Sequence, residues 1–226
     1  MSGELIFRRM DLDDAALLAA MPSDTDAATR HLFDQCPPAI RPRSLSIALI
    51  SHLYAVVDDR TAVDQEVEQH RVAHTLRVLQ LPSSREERAV VHADAYAAAM
   101  ATDAAAADTT VEREALEAGV RVLPMCTGVA VRKPELAAAL VGIGDTSAVI
   151  EALLRRNWLA VTSRSAAAPD AAPTEGEWLW ALPECGKLTT ALYPLRAEAL
   201  RQLHRQRFGR AMRHTLDQGL SKLLRR

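Results

Sequence analysis

The spacing of apolar residues in the first part of the chain predicts three helices followed by two strands. Apolar side chains recur every three or four residues over residues 26–35, 44–57 and 61–70, which places them on one face of a helix. Two β-prone runs, residues 75–81 and 89–92, follow and are separated by a polar loop. Three helices followed by a two-stranded hairpin are typical of a winged helix, a variant of the helix-turn-helix.

A similar order of predicted elements recurs in the second half of the chain. Helices are expected over residues 111–123, 134–140 and 145–156, and strands over residues 158–161 and 178–181. The loop between these strands is rich in Pro, Ala and Gly and would form an elongated wing. The repetition is one of architecture, because no convincing residue-level repeat accompanies it.

These patterns predict an α+β protein, mostly helical, with two tandem winged-helix domains and a basic C-terminal helical extension. The expected boundaries are an N-terminal segment 1–24, a first winged helix 25–105, a second winged helix 106–186 and the extension 187–226. The 226 residues, about half of them apolar, suffice for two small domains. Within the extension, Pro194 is expected to interrupt the helix.

The last forty residues differ in charge from the rest of the chain. Residues 187–226 contain ten Lys or Arg against two acids, a net charge of +8. The whole chain is formally −2, so residues 1–186 carry −10. Local charge rather than the average attracts a phosphate backbone, and the asymmetry therefore points first to nucleic acid. Helical spacing brings together a set of candidate phosphate contacts: Arg201, His204, Arg205, Arg207, Arg210 and Arg213.

The sequence carries no recognisable catalytic machinery. Phosphoryl transfer by a protein kinase needs a Gly-rich loop, a strand lysine and the HRD and DFG motifs, and none is present. His70 and His74 have the i,i+4 spacing of a zinc pair, but no nearby acid or cysteine completes a ligand set. We therefore expect no enzyme, no metal and no cofactor. No apolar stretch approaches the roughly 18–20 residues that span a bilayer, so no membrane association is expected.

Short motifs in a fixed order resemble those of one protein family. The motifs are Leu32-Phe33 ahead of Pro37-Pro38, Asp59-Arg60-Thr61 at a helix start, Leu76-Arg-Val-Leu-Gln-Leu81, Leu123-Pro-Met-Cys126 and Trp178-Leu-Trp-Ala-Leu-Pro183. Over roughly residues 27–215 the chain is similar to the family called serine/threonine-protein kinase 19. Despite its name, that family is understood as tandem winged-helix and not as a kinase fold.

The resemblance implies a nuclear protein that binds double-stranded DNA in transcription-coupled nucleotide excision repair. It would be a scaffold between the repair complex at stalled RNA polymerase II and the helicase factor TFIIH. Carried over by position, the resemblance implies DNA contacts at Lys187, Arg196, Arg205 and Arg207. The family continues into a third winged helix, of which residues 187–226 would supply the beginning.

A protein-interaction module without direct DNA contact is the alternative. The predicted third helix carries Asp64, Glu66 and Glu68, with only Arg71 near its end. These carboxylates would repel a phosphate backbone and would suit a basic partner. The basic extension would then mediate self-association, for example as a homodimer. Sequence reasoning leaves both alternatives open.

Overall fold

The computed structural model describes residues 21–36, 38, 41–81, 87–142, 145–161 and 177–205. Within them the protein is α+β and mostly helical, with two small antiparallel sheets of three strands each, which confirms the expected fold class at this level. In chain order, the elements are α1 (Asp24–Gln35), β1 (Ala48–Leu49), α2 (Ile50–Val56), α3 (Arg60–Val72), β2 (Leu76–Gln80), β3 (Arg88–His92), α4 (Ala93–Ala105), α5 (Thr110–Val122), β4 (Ala130–Arg132), α6 (Lys133–Ala139), α7 (Thr146–Arg155), β5 (Leu159–Val161), β6 (Glu177–Trp180) and α8 (Cys185–Arg205).

The first unit, residues 24–92, runs helix, strand, helix, helix, strand, strand. Strand β3 lies between β1 and β2 and pairs antiparallel with both. Local polar caps start its helices: Ser23 Oγ accepts a hydrogen bond from the Asp26 amide at α1, and Asp59 Oδ1 accepts one from the Ala62 amide at α3. Such caps satisfy amides that lack an intrahelical partner, so the position of these helix starts follows from nearby sequence.

The second unit, residues 110–180, repeats the same order of elements. Strand β6 lies between β4 and β5, again with antiparallel pairing on both sides. Helices α5 and α7 pack closely at Gly119, where an added Cβ would lie 3.0 Å from the Leu153 Cδ2 atom. A larger residue at this position would therefore require the Leu153 side chain to shift.

The prediction of one helix over residues 44–57 is wrong. The chain instead forms a 3-10 turn, Pro42–Ser44, then β1, and only then α2. Apolar residues here alternate between two cores, because β1 belongs to a sheet that is buried on both faces. Leu45, Ile47 and Leu49 enter the core shared with the second unit, whereas Ala48 and Ile50 enter the core of the first unit. A run of apolar residues fits both periodicities, and only pairing with β3 decides between them.

The second face of the first sheet is covered by α4 and by the second unit. Tyr96 and Met100 of α4 are fully buried there, in one core with Leu116, Leu153 and Trp158 of the second unit. The sequence pattern indicated no element where α4 lies, because an alanine-rich helix shows little contrast between its faces. The two units thus share a continuous apolar core.

Helix α8 follows the second unit and runs unbroken past Pro194. The prediction that Pro194 interrupts this helix is therefore wrong. Proline removes only its own amide N–H from the helix, and Pro194 lies on the exposed side, so the helix continues through it. The helix packs back on the first unit, where it contacts the turn Pro42–Ser44.

Candidate nucleic-acid interface

Four predicted contact residues lie on the exposed face of α8. Arg196, Arg201, His204 and Arg205 are all exposed, while the opposite side of the helix is partly covered. The partly buried residues are Leu195, Glu198, Ala199, Gln202 and Leu203. Their spacing of three and four defines one helix face, so the basic residues are turned outward by the same periodicity that holds the helix against the protein.

The four exposed residues differ in what they bind. Arg201 donates to both carboxylate oxygens of Glu198, at 2.7 and 2.5 Å, and this pairing holds the pKa of Glu198 below its ordinary value. Arg196, His204 and Arg205 have no ion-pair partner among the described residues. A phosphate group would therefore compete with Glu198 for Arg201 but not for the other three.

The packing of α8 brings its basic charge close to the first unit. The pKa of His52, on α2, is lowered mainly by desolvation, and the positive charge of Arg196 adds to the effect. Glu87 opposes the shift with its negative charge. The charge of Arg196 thus acts on a side chain of the first unit, although Arg196 itself is exposed.

The other predicted contact residues have no described side-chain geometry. Lys187 lies in the first turn of α8, and only its backbone position is described. Arg207, Arg210 and Arg213 lie outside the described residues. The structure therefore brings together Arg196, Arg201, His204 and Arg205, and the remainder of the predicted set stays a prediction.

The third helix of the first unit presents acids in place of a basic surface. Asp64 accepts a hydrogen bond from Tyr54 Oη at 2.5 Å, and Glu66 accepts one from Ser23 Oγ. Glu68 pairs with Arg71, the one arginine near the end of α3, at 2.8 and 2.5 Å. Each carboxylate thus has a partner within the fold, and the helix offers little positive charge to a phosphate backbone.

The corresponding helix of the second unit has its arginines engaged as well. Arg155 pairs with Glu151 at 2.6 Å, and Arg156 donates to both carboxylate oxygens of Glu112 at 2.8 and 3.0 Å. The Arg156 guanidinium holds the pKa of Glu112 below its ordinary value. The first pair lies within α7, and the second connects the end of α7 to α5. Both arginines are therefore engaged in contacts within the fold.

A buried arginine, which sequence reasoning did not single out, joins the two units. Arg77 on β2 is 5% exposed and donates to the carbonyl oxygens of Leu123 at 3.3 Å and Cys126 at 2.8 Å. Its guanidinium lies 4.4 Å from the ring centroid of Trp180 and 5.3 Å from that of Tyr96. Burial lowers the pKa of Arg77, and the two aromatic faces compensate in part for the lost hydration.

The Leu123 carbonyl that Arg77 binds lies at the end of α5, and the Cys126 carbonyl lies in the segment that follows the helix. The last carbonyls of a helix lack intrahelical partners and carry partial negative charge, so a guanidinium satisfies both needs. Arg77 thus connects strand β2, on which it lies, to the segment after α5 and to strand β6. Each of these segments contains one of the motifs that resemble the family, so those motifs mark packing at the junction of the units.

A second polar contact lies within the shared core. Asp103 on α4 accepts a hydrogen bond from Trp158 Nε1 at 3.0 Å and pairs with Arg43 Nη1 at 3.2 Å. Tyr96 packs edge-on against Trp158, with ring centroids 5.0 Å apart, and donates its hydroxyl to the Ala181 carbonyl at 2.7 Å. Burial raises the pKa of Tyr96. These groups bind one another within the fold, and their contacts hold α4 against the second unit.

A comparison with protein-family models places the chain. The model for inactive serine-threonine protein kinase 19 matches residues 13–220. The chain belongs to this family. A search of curated proteins returned no match. The matched segment includes both units and all of α8, so the resemblance noted over roughly residues 27–215 is confirmed.

The description of the inactive serine-threonine protein kinase 19 family is consistent with the prediction that the chain is not an enzyme. In the part of the chain that the structure describes, no helix is both long and apolar enough to cross a membrane.

His70 and His74, the spacing match for a zinc pair, have separate surroundings in this family member. His70 Nε2 lies 2.7 Å from Asp26 Oδ1, and its Nδ1 lies 2.8 Å from Thr75 Oγ1. His74 lies beyond the end of α3, in a turn with a φ of 59°. Among the described residues no group of three His, Cys, Asp or Glu is placed to hold a metal ion. His70 thus connects α1 to the end of α3.

Proposed function

We propose that the protein binds double-stranded DNA without sequence specificity, through α8 and the basic residues that follow it. The observation that carries the proposal is the exposed face of α8, where Arg196, His204 and Arg205 have no carboxylate partner among the described residues. These residues belong to a segment with a net charge of +8. Exposed cations of this kind engage phosphates and release counterions, which favours binding at low salt.

Tandem winged-helix domains form the second part of the proposal. In each unit the element order is helix, strand, helix, helix, strand, strand, and the last strand lies in the middle of the sheet. This arrangement supports a winged-helix assignment, with boundaries at 25–105 and 106–186 as predicted from the sequence. Neither third helix offers an arginine-rich surface, so we propose phosphate contacts that position the protein rather than base contacts that specify sequence.

The biological setting rests on the family resemblance. We propose a nuclear scaffold in transcription-coupled nucleotide excision repair, between the repair complex at stalled RNA polymerase II and TFIIH. A non-enzymatic scaffold needs surfaces rather than a catalytic centre. Helix α3, which exposes Asp64 and Glu68, and the basic α8 supply two surfaces of opposite charge, which support such a role.

The test is the fluorescence anisotropy of a labelled duplex of about 20 base pairs, titrated with the full chain across a salt series. We expect log affinity to fall against log salt with a slope of roughly −4 to −5, for about four to six phosphates engaged. Arg205→Glu with Arg207→Glu is expected to weaken binding about tenfold or more, because two attractive charges become repulsive.

The matched control reverses two exposed arginines on α5, Arg113→Glu with Arg121→Glu. It changes the net charge by the same amount and is expected to leave the affinity within about threefold of wild type. Equal losses in both double variants would show that net charge, not α8, governs binding. An unchanged affinity in the α8 variant would exclude the proposed site.

A protein-interaction module remains the second candidate, favoured by the acids that α3 exposes. Asp64 and Glu68 are exposed on this helix despite their internal partners. In this case the α8 variant would change the oligomeric mass in sedimentation equilibrium while its affinity for the duplex stayed that of wild type.

A further inference from the structure

The turn that precedes β1 has an unusual backbone conformation. In Pro42–Ser44, Arg43 has a φ of 50° and a ψ of 34°, and Ser44 has a φ of 62°. Two consecutive residues other than glycine therefore occupy the left-handed region, where the Cβ atom crowds the main chain. Such a conformation costs free energy at each residue and persists only where the surrounding structure holds it.

Contacts on both sides fix the ends of this turn. On the N-terminal side, Arg41 Nε donates to the Cys36 carbonyl at 2.9 Å. On the C-terminal side, Leu45 is 4% exposed and lies in the core that the two units share. The turn is thus tied to the end of α1 and to the shared core, and its own conformation is set between them.

The side chain of Arg43 connects the turn to α4 and to the second unit. Its Nη1 atom lies 3.2 Å from Asp103 Oδ1, and the Asp103 side chain is 6% exposed. The other oxygen of this carboxylate accepts the hydrogen bond from Trp158 Nε1 at 3.0 Å, and Trp158 is fully buried. Because a buried carboxylate without its cation is costly, this ion pair resists rearrangement of the turn.

Helix α8 rests on the same turn. Its main contact with another helix, strand or turn of the described chain is with Pro42–Ser44. Over residues 194–205 no side chain of α8 is buried, and the inner side of the helix is only half-buried. Few buried apolar contacts hold this part of the helix, so its orientation depends strongly on the rigidity of its support.

We infer that the turn Pro42–Ser44, held by the Arg43–Asp103 ion pair, positions α8 for contact with the phosphates of duplex DNA. Arg43 is a positioning residue that acts through the helix, because its guanidinium is already engaged by Asp103. A helix that pivots would spend only part of its time in the orientation that fits the duplex, and the apparent affinity would fall by that fraction. This inference rests on the proposed DNA binding and adds the turn and α4 to the determinants of affinity.

The first test is the anisotropy titration of a labelled duplex of about 20 base pairs with the full chain, across a salt series and well below the Tm of each variant. Arg43→Ala is expected to weaken binding about threefold to tenfold, with the salt slope of wild type because no phosphate contact is removed. A slope smaller in magnitude by about 1 would show that Arg43 itself contacts a phosphate and would overturn the positioning role. The control Arg113→Ala removes the same charge from the exposed side of α5 and is expected to stay within about twofold of wild type.

Asp103→Asn is a variant for which charge and position predict opposite signs. Removal of a negative charge would by itself strengthen binding to DNA. Asparagine keeps an acceptor for the Trp158 indole but loses the charge that holds Arg43, so we expect the affinity to fall about threefold. Asp108→Asn removes the same charge from an exposed position and is expected to bind as wild type or slightly more tightly. Tighter binding by Asp103→Asn would contradict the inference.

Ser44 tests the backbone conformation without a change of charge. Ser44 is exposed, and asparagine enters the left-handed region readily, so Ser44→Asn is expected to stay within about twofold of wild-type affinity. Valine is strongly disfavoured there because its branched Cβ crowds the main chain, so Ser44→Val is expected to weaken binding about threefold to tenfold. Equal affinities in the two variants would exclude a role for the conformation of the turn.

The position of α8 can also be measured without DNA. Nitroxide labels at Ala197→Cys on α8 and Glu117→Cys on α5 report the distance between the helices by double electron–electron resonance, since both sites are exposed and the three native cysteines are buried. We expect a broader distance distribution in Arg43→Ala and Ser44→Val than in Ser44→Asn. An unchanged distribution in Arg43→Ala would overturn the inference, whether or not the chain binds DNA. A broader distribution in a chain that fails to bind the duplex would retain the positioning of α8 and exclude the proposed function alone.

Discussion

The junction between the units and the outer face of α8 both depend on arginine, but in opposite surroundings. Arg77 is buried, stacks on Trp180 and donates to two main-chain carbonyls. Arg205 is exposed and has no carboxylate partner among the described residues. Both residues carry one positive charge in a count along the chain. Such a count locates a charged segment, whereas burial and partners decide whether a given cation stabilises the fold or is available to a ligand.

The largest loss of stability is expected from removing Arg77 at the junction between the two units. Arg77→Ala removes the donors to the Leu123 and Cys126 carbonyls and leaves a cavity against Trp180, so it is expected to lower the free energy of unfolding by about 3–5 kcal/mol. Urea denaturation followed by tryptophan fluorescence measures this. Arg77→Lys is expected to recover little, because one ammonium cannot stack on the ring and reach both carbonyls. A lysine variant as stable as wild type would contradict this account.

A smaller loss is expected at the second polar contact of the shared core. Asp103→Ala leaves the Trp158 indole N–H unpaired and removes the partner of Arg43, with an expected cost of about 2–3 kcal/mol. Asp103→Asn keeps an acceptor and is expected to cost less. Asp108→Ala is the control, since that exposed carboxylate lies 3.9 Å from Arg156 and is expected to change stability by no more than about 0.5 kcal/mol. Similar losses at Asp103 and Asp108 would refute the role of burial.

The Glu112–Arg156 pair extends the comparison to pH. Because the folded-state pKa of Glu112 is lowered, the stabilisation is present above the ordinary value of 4.5 and is lost as the pH falls through the lowered value. The stability difference between wild type and Glu112→Gln is therefore expected to be largest near about pH 7 and to shrink by about pH 3. Thermal unfolding at several pH values measures it, with Glu117→Gln as the exposed control. A difference that does not depend on pH would exclude the charge as its source.

The smallest effect on stability is expected on α8. Arg205→Ala is expected to change the free energy of unfolding by no more than about 0.5 kcal/mol, because the side chain is exposed. Its duplex affinity should nevertheless fall a few-fold, and the salt slope should decrease in magnitude by about 1. Arg77 and Arg205 would then separate the two roles of arginine in one protein. A stability loss at Arg205 close to that at Arg77 would remove the distinction.

Much of the fold could be predicted because its signals are local. The helices at α1, α3, α5 and α7 were predicted from the residue pattern, and of the observed caps Ser23, Asp59 and Asp145 only Asp145 was predicted. The two strand pairs were found in the same way. Where one apolar stretch serves two cores, as from Leu45 to Ile50, the local pattern was ambiguous and the prediction was wrong.

The functional residues also differ in whether a local sequence pattern predicts them. Exposed cations on α8 were predicted because helical spacing places them together. The contacts of Arg77 were not predicted, because its partners lie on the segment after α5 and on strand β6, and nothing in the nearby sequence shows that its guanidinium is buried.

The sequence by itself determined the α+β class, the order of most elements, the family and the charge contrast between residues 1–186 and 187–226. These properties depend on residue type and on spacing along a few turns of chain. Only the tertiary structure decided which cations are buried and which face outward. Arg77 meets carbonyl oxygens 46 and 49 residues away, and Asp103 meets a tryptophan 55 residues away. Such contacts arise when separate units fold onto one core, and no local pattern encodes them.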